Sequence, residues 1–341
     1  MNRHCQNRSC INQFTTNGAA QMPSPCDDSR MDAKQLISFI KEIGRGKNAA
    51  RDLSREDAKT LFTAILNNDI PPLQLGAILI AMRIKGESLD ELAGFLEACE
   101  TSYAHLDAPT GTVPLVIPAY NGARQLPNLT PLLASLVARA GVPVLVHGVP
   151  DDSSRVTTIE VFQAMGITPA RSIAEAEAQL TERQLAVITI DTLAPAIART
   201  LKLRRDIGLR SSAHTLVKMI QPFTTRAVRL VSVTHPEYLD RMRAFFTQHS
   251  GDALLLRGAE GEAVAHPRRE PVIEWLDGKT TEVWRTVAEE NPELPDRREA
   301  AATAGWITDA LSGKRPVPAA IAHQADICMR TVTAMPSPAT R

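Results

Sequence analysis

Five short apolar runs punctuate the middle of the chain: "PLVIP", "PVLVHG", "LAVITI", "RLVSVTH" and "ALLLRG". Each is short for a helix and too continuous for a strand with one wet face. Between them, helical segments are expected at 128–140, 155–165, 193–206 and 236–248. Strands apolar on both sides and separated by helices belong in a parallel sheet covered on both faces. From Val113 onward the chain therefore reads as an α/β domain with a mostly parallel central sheet, over residues 106–330.

Upstream the period changes. Leu36, Ile37, Ile40 and Ile43 recur at helical spacing. Ser54 with Asp57, and Ser88 with Glu91, mark two helix starts in capping-box fashion. Pro71 and Pro72 open a further helix that Gly86 closes. Residues 31–105 thus form a small all-helical domain preceding the larger α/β domain. Residues 1–30 are polar and aperiodic and read as a disordered tail, with Met31 an alternative start. Helical spacing returns around "EAAATAGWITDALSG", and residues 331–341 are expected to fray.

No apolar run is long enough to span a membrane, and "MNRHCQNRSCINQF" lacks the apolar core of a secretory signal, so a cytoplasmic protein with no membrane partner is expected. The five cysteines show no C-x-x-C spacing, and no metal site is read. With 38 basic and 38 acidic residues, net charge gives no attraction to nucleic acid, so any such attraction must be local.

Four segments have the character of sites. In "IPAYNGARQLPNLT" a loop joins a strand to a helix start, where free N–H groups favour an anion. Asn121, Gly122, Arg124, Asn128 and Thr130 are its candidate phosphate contacts. Pro118 and Pro127 lack N–H groups, and Tyr120 takes up room; an ordinary turn with Asn128 as N-cap is the competing reading. His147, in "VLVHGVP", is a candidate ligand or base at a strand end, or a structural histidine. In residues 194–218, Arg199, Lys202 and Arg205 recur every three residues and share a helical face, with Arg204, Arg210 and Lys218 adding charge against Asp206 alone. Arg204 is expected to turn away from that face. In "KEIGRGKNAARDL", Arg45, Lys47 and Arg51 make a basic, glycine-containing loop. Either basic cluster is a binding surface or a solvated face.

Taken in order, "EIGRGKNAARDL", "IPAYNGARQLPNLTPLLA", "VPVLVHGV", "IGLRSSAHTL" and "VTHPEYLDR" resemble the anthranilate phosphoribosyltransferase family of glycosyltransferases, over roughly residues 31–330. "IPAYNGAR" with "EIGRGKN" is similar to its TrpD-like, DNA-binding (YbiB-like) branch. The resemblance implies a nucleoside phosphorylase/phosphoribosyltransferase-type fold, with the helices of 194–220 near a hinge. It also implies a homodimer formed through the helical domain, and sequence-independent binding of single-stranded DNA or RNA.

The departures bear on activity. "PAYNGAR" stands where the family's enzymes carry "GTGGD", "VHGVP" where they carry "KHGNR", and "SSAH" where they carry "TIFN". Their paired acidic magnesium ligands fall near "RGAEGEAVA", where Glu260 and Glu262 are not adjacent. Losing one charge-stabilising group costs about 10²–10³ in rate, and several are lost together. The expectation is a nucleic-acid-binding protein with no catalytic residue, metal or cofactor, bound through Arg199, Lys202, Arg204, Arg205, Arg210, Arg45, Lys47 and Arg51. An active glycosyl- or phosphoribosyltransferase with an unusual acceptor is the alternative. Aromatic content is 4%, so phosphate contacts rather than stacking would carry the binding.

Overall fold

The computed structural model describes residues 31–46, 48–249, 251–270, 272–278, 281–285, 293–295 and 299–335. The proposed tail 1–30, Lys47 and residues 336–341 lie outside the described residues.

Four helices open the described chain: α1 (Ala33–Ile43), α2 (Arg55–Asn67), α3 (Pro72–Lys85) and α4 (Leu89–Glu100). The starts of α2, α3 and α4 are set by the residues expected to set them, and α1 is capped by Asp32. Ser54 accepts from Asp57 N–H, and Ser88 and Glu91 close a reciprocal capping box. Glu91 is fully buried at the seam of this bundle. It accepts from the N–H of Leu53 at 2.9 Å and from Lys85 Nζ at 2.6 Å, so its charge is both paired and hydrogen-bonded. Phe62 and Phe95 stack between α2 and α4, with ring centroids 4.8 Å apart.

A seven-stranded sheet follows, in the order β3-β2-β1-β4-β5-β6-β7. The five apolar runs become β1 (Leu115–Ala119), β2 (Val144–Gly148), β3 (Leu185–Thr189), β4 (Val228–Ser232) and β5 (Ala253–Leu256), all parallel. Side chains alternate between two cores, as the two-residue period demands. Leu115, Ile117, Val144, Val146 and Leu254 enter one, and Val116, Leu145, Ile188 and Leu255 the other. The second core is continuous with that of the helical bundle. β6 (Val272–Leu276) and β7 (Thr281–Arg285) extend the sheet antiparallel.

The helices depart from expectation in four places. Helix α5 (Thr130–Arg139) starts at Leu129 as cap, and Asn128 instead accepts from Thr130 N–H at 3.3 Å. Helix α6 (Thr158–Ala164) starts late because Val156 is engaged in a two-bond bridge to Ala123, and Thr157 with Glu160 forms the capping box. Helix α7 (Ile173–Arg183) was not anticipated; its composition is too polar to stand out. The expected helix 193–206 is divided into α8 (Ile190–Leu193), α9 (Pro195–Lys202) and α10 (Arg204–Ile207). The short α11 (Ala213–Leu216) and α12 (Pro236–Gln248) follow. Helices α13 (Ala300–Leu311) and α14 (Ala319–Ala334) end the described chain. Because Thr331 and Val332 are buried within α14, fraying cannot begin at residue 331. Among the described residues no helix is long and apolar enough to cross a membrane.

Candidate functional site

Strand order reverses direction between β1 and β4, and ligands of open α/β sheets collect at the carboxyl ends of strands beside such a switch point. The loop after β1 stands there. Its amides at Asn121, Gly122, Arg124 and Gln125 converge as they would on a phosphate, but their acceptors are the chain's own carboxylates. Glu262 Oε1 accepts from Asn121 N–H at 2.7 Å and Gly122 N–H at 2.6 Å. Its other oxygen accepts from the hydroxyls of Thr158 at 2.9 Å and Thr130 at 3.5 Å. Glu260 accepts from Arg124 N–H at 2.5 Å and Gln125 N–H at 2.9 Å.

Two glycines let the loop and the acidic turn approach this closely. A Cβ on Gly261 (φ 87°) would lie 1.8 Å from Asn121 Nδ2, and one on Gly122 (φ 65°) 2.9 Å from the Arg155 side chain. Between them Glu260 holds a left-handed backbone (φ 52°), a strain of order 1–3 kcal/mol sustained by its two amide bonds. Glu262 is buried, at 2% exposure, and its lone pairs face donors. These two carboxylates therefore do not fit a magnesium ion. Among the described residues no cluster of three metal-ligating side chains occurs.

Cations surround the closed loop. A cleft of about 440 Å³ lies beyond β2 and β3, lined by Tyr120, Asp151, Lys202, Arg204 and Arg205. A second, of about 370 Å³, lies beyond β1 and β4, lined by Arg83, Asn121, Arg155, Arg204, Arg210 and Lys218. Arg204 borders both. Among the described residues Arg83, Arg155, Arg204 and Arg210 stand in no ion pair; Arg83 and Arg210 bond only the neutral Tyr238 hydroxyl and Asn121 carbonyl oxygen. Burial, and then the charges of Arg204 and Arg155, push the Arg210 guanidinium's pKa down. Burial first, then Arg210 and Arg204, lower His214 to about 3, so its imidazole is neutral at pH 7. Lys218, buried, donates to the carbonyls of Ser232 and Gly261 at 3.0 and 3.1 Å; desolvation brings it down to about 8, partly offset by Glu262.

The remaining candidates are placed otherwise. His147 is fully buried, with Nδ1 2.6 Å from the Tyr120 hydroxyl and burial lowering it to about 3, so it cannot meet a phosphate. Asn128 and Thr130 are also buried, Asn128 donating to the Val156 carbonyl. Arg199 donates to the carbonyl of Leu66 at 2.7 Å, so it ties α9 to the C-terminal end of α2 rather than facing solvent freely. Lys202 pairs with Asp191, and Arg205 with Asp151 at 3.8 Å. Two members of the basic stripe, Lys202 and Arg205, thus stand in ion pairs, whereas among the described residues Arg199 and Arg204 do not, Arg204 acting on Asp152 only at longer range. Arg45 and Arg51 share Glu42, at 2.6 and 3.9 Å, and border neither cleft. Arg124 is exposed at the mouth of the loop. Sequence reasoning missed Arg83, Arg155 and the plugging carboxylates. Glu262 could have been suspected from its place in "EAVA", a run too apolar to leave an acid without partners.

Comparison with known proteins agrees with this arrangement. Residues 37–102 match the helical bundle domain, and residues 122–298 the a/b domain, of a glycosyl transferase family. The chain is 44% identical over 298 residues to the Escherichia coli K12 "Uncharacterized protein YbiB", spanning 85% of this chain and 92% of that one. It is 29% identical to the anthranilate phosphoribosyltransferase of Sinorhizobium medicae, over 63% of this chain and 64% of the relative. The structure of the Thermus thermophilus anthranilate phosphoribosyltransferase superposes with a TM-score of 0.70 at 20% identity, over 89% of this chain and 90% of that one. The Saccharomyces cerevisiae enzyme in complex with PRPP and Mg gives 0.69 at 14% identity, over 89% and 90%. A helical bundle at 31–105, a mostly parallel sheet with its switch point at β1 and β4, and matches covering both domains place the chain in one group: it belongs to the glycosyl transferase family that joins a helical bundle to an α/β domain.

Proposed function

We propose that the chain is a sequence-independent binder of single-stranded nucleic acid, built on a transferase fold whose phosphate loop is closed by its own carboxylates. The observation that carries this reading is the pairing of a plugged loop with unpaired cations. Glu262 and Glu260 take the backbone donors that a pyrophosphate would need, while among the described residues Arg155, Arg204 and Arg210 stand beside them in no ion pair, with Asp152 the acid whose charge reaches all three. A cleft rich in guanidiniums attracts phosphodiesters, and a closed loop withholds the electrostatic support that phosphoribosyl transfer requires. The protein acts as a cytoplasmic homodimer. Support for the dimer is an apolar hollow of about 660 Å³ between α1 and α3, where Leu73 and Ile84 are 83% and 67% exposed.

Each cation that meets a phosphate displaces counterions, with a slope of about −0.7 in log K against log salt per contact on single strands. The test is binding of single-stranded oligonucleotides of several sequences across a salt series, with a phosphoribosyltransferase assay on the same sample. Expected are equal affinities across sequences, a steep salt slope, and no turnover. An R204A/R205A variant should lower the slope by about 1.4. Magnesium-dependent turnover of phosphoribosyl pyrophosphate, or a slope near zero, would refute the reading.

A further inference from the structure

A third hollow, of about 630 Å³, opens beyond β5, lined by Gln125, Arg257, Glu260, His266, Arg268 and Arg269. It shares Thr234 and Glu260 with the second cleft, which shares Arg204 and His214 with the first. The three form one trough along the carboxyl edge of the sheet. The first lies at the ends of β2 and β3 (Val149, Ile190), and the second at β1 and β4 (Asn121, Val233). The third lies at β5 (Arg257) and the start of β6 (Val272), which runs antiparallel and so begins where β5 ends. Six adjacent strands give five spacings of about 4.8 Å, a path of about 24 Å.

Arg257, Arg268 and Arg269 are exposed and, among the described residues, stand in no ion pair. Glu260, the acid between them and the second cleft, is already committed to two loop amides. We propose that a single strand of nucleic acid lies along this whole trough, with its far end held by Arg257, Arg268 and Arg269. This rests on the nucleic-acid reading above and extends the site to the opposite side of the switch point.

The trough's composition selects this partner over an acidic polypeptide. Cations alternate with groups that accept or donate hydrogen bonds: Asp151, Asp152 and Ser153 in the first cleft, Asn121 and Thr215 in the second, and Glu270 in the third. An anionic backbone bearing neutral heterocycles can use both kinds. A run of carboxylates would meet repulsion at Asp151, Asp152 and Glu270, with only main-chain N–H groups to offer them.

The test compares the wild type with an R257A/R268A/R269A variant, using fluorescent oligonucleotides of increasing length across a salt series. All three side chains are exposed, so the fold should be unaffected. Three lost contacts should reduce the salt slope by about 2, so that the variant loses about 20-fold less affinity than the wild type between 50 and 200 mM salt. The variant should bind short oligonucleotides as the wild type does, and stop gaining affinity at a shorter length. If the wild type binds but the variant matches it in slope and length dependence, the extended trough is wrong and the nearer site stands. If the wild type binds no single strand, both fall. Displacement of the oligonucleotide's far end by polyglutamate as effectively as by unlabelled strand would assign that end to an acidic protein and overturn the proposal.

Discussion

Replacing Glu262 by alanine removes the acceptor for the amides of Asn121 and Gly122 and the hydroxyl of Thr158, all within 2.9 Å. Hydrogen bonds to a charged group contribute about 1.5–3 kcal/mol each. Losing the two amide bonds alone therefore costs about 3–6 kcal/mol, in line with the 3–5 kcal/mol typical of breaking a buried charged network. Glu262→Gln is the informative control. Its carbonyl can still accept from both amides and its NH₂ can donate to the Thr158 hydroxyl, so it should cost only about 1–2 kcal/mol. The orphaned amides of E262A then become an anion site, with Arg210 and Lys218 close by. Urea denaturation with and without pyrophosphate reads both effects. At a ligand concentration 100 times Kd, binding to the native state alone returns about 2.7 kcal/mol. E262A should be stabilised by pyrophosphate to that extent, and the wild type and E262Q should respond less. An E262A protein within about 1 kcal/mol of wild type, or a wild type stabilised as strongly as E262A, would refute the view that Glu262 plugs the loop.

Acid should destabilise the protein through His147: folded it titrates at about 3 and unfolded at about 6.5, so between those values only the unfolded chain takes the proton. Stability should fall as pH drops through that window, by up to about 1.4 kcal/mol per unit from this group, and H147Q should show a shallower fall in urea melts at pH 7, 5 and 4. Lys218 works at the other end: depressed to about 8 from 10.5, it leaves the unfolded chain holding more protons between those values. Wild type should therefore gain stability relative to K218M as pH rises from 8 to 10. Changing the exposed Leu73 and Ile84 to aspartate together should give a monomer by light scattering with α/β far-ultraviolet dichroism unchanged; a persistent dimer would move the interface away from α1 and α3.

The strands were legible because a parallel sheet buried on both faces leaves unbroken apolar runs. The bundle was legible because Ser54, Ser88, Pro72 and Gly86 carry local signals that need no tertiary partner. Elements set by long-range contact were not. Helix α7 is polar over most of its surface, and β6 and β7 are marked locally by little more than the Asp277–Gly278 pair between them. The site suffered most. Asn121 and Glu262 are 141 residues apart, and no periodicity joins them. The basic stripe was read as one helical face, but the helix breaks at Leu203 and puts Arg205 on α10 while Arg199 and Lys202 stay on α9; Arg199 bonds the Leu66 carbonyl and Lys202 pairs with Asp191, partners invisible in one dimension. His147 looked like a strand-end ligand and proved a core residue bonded to Tyr120.

The retained frame of the loop has a physical reason once the partners are seen. Converging amides are costly to leave unsatisfied where they are buried, as those of Asn121 and Gly122 are, so without a bound phosphate the chain must supply another anion. Glu262 and Glu260 do this, and their placement needs the small residues Gly122 and Gly261 and a strained turn at Glu260. Carboxylates of the same chain thus substitute here for an external anion. The same substitution alters the surrounding field. With both carboxylates committed to backbone donors, Arg155, Arg204 and Arg210 form no ion pair among the described residues; Asp152 is the acid whose charge reaches them, and the cations around the cleft outnumber it in a chain whose net charge is zero. Closing the old loop and opening a basic surface are, in this arrangement, two consequences of one pair of glutamates.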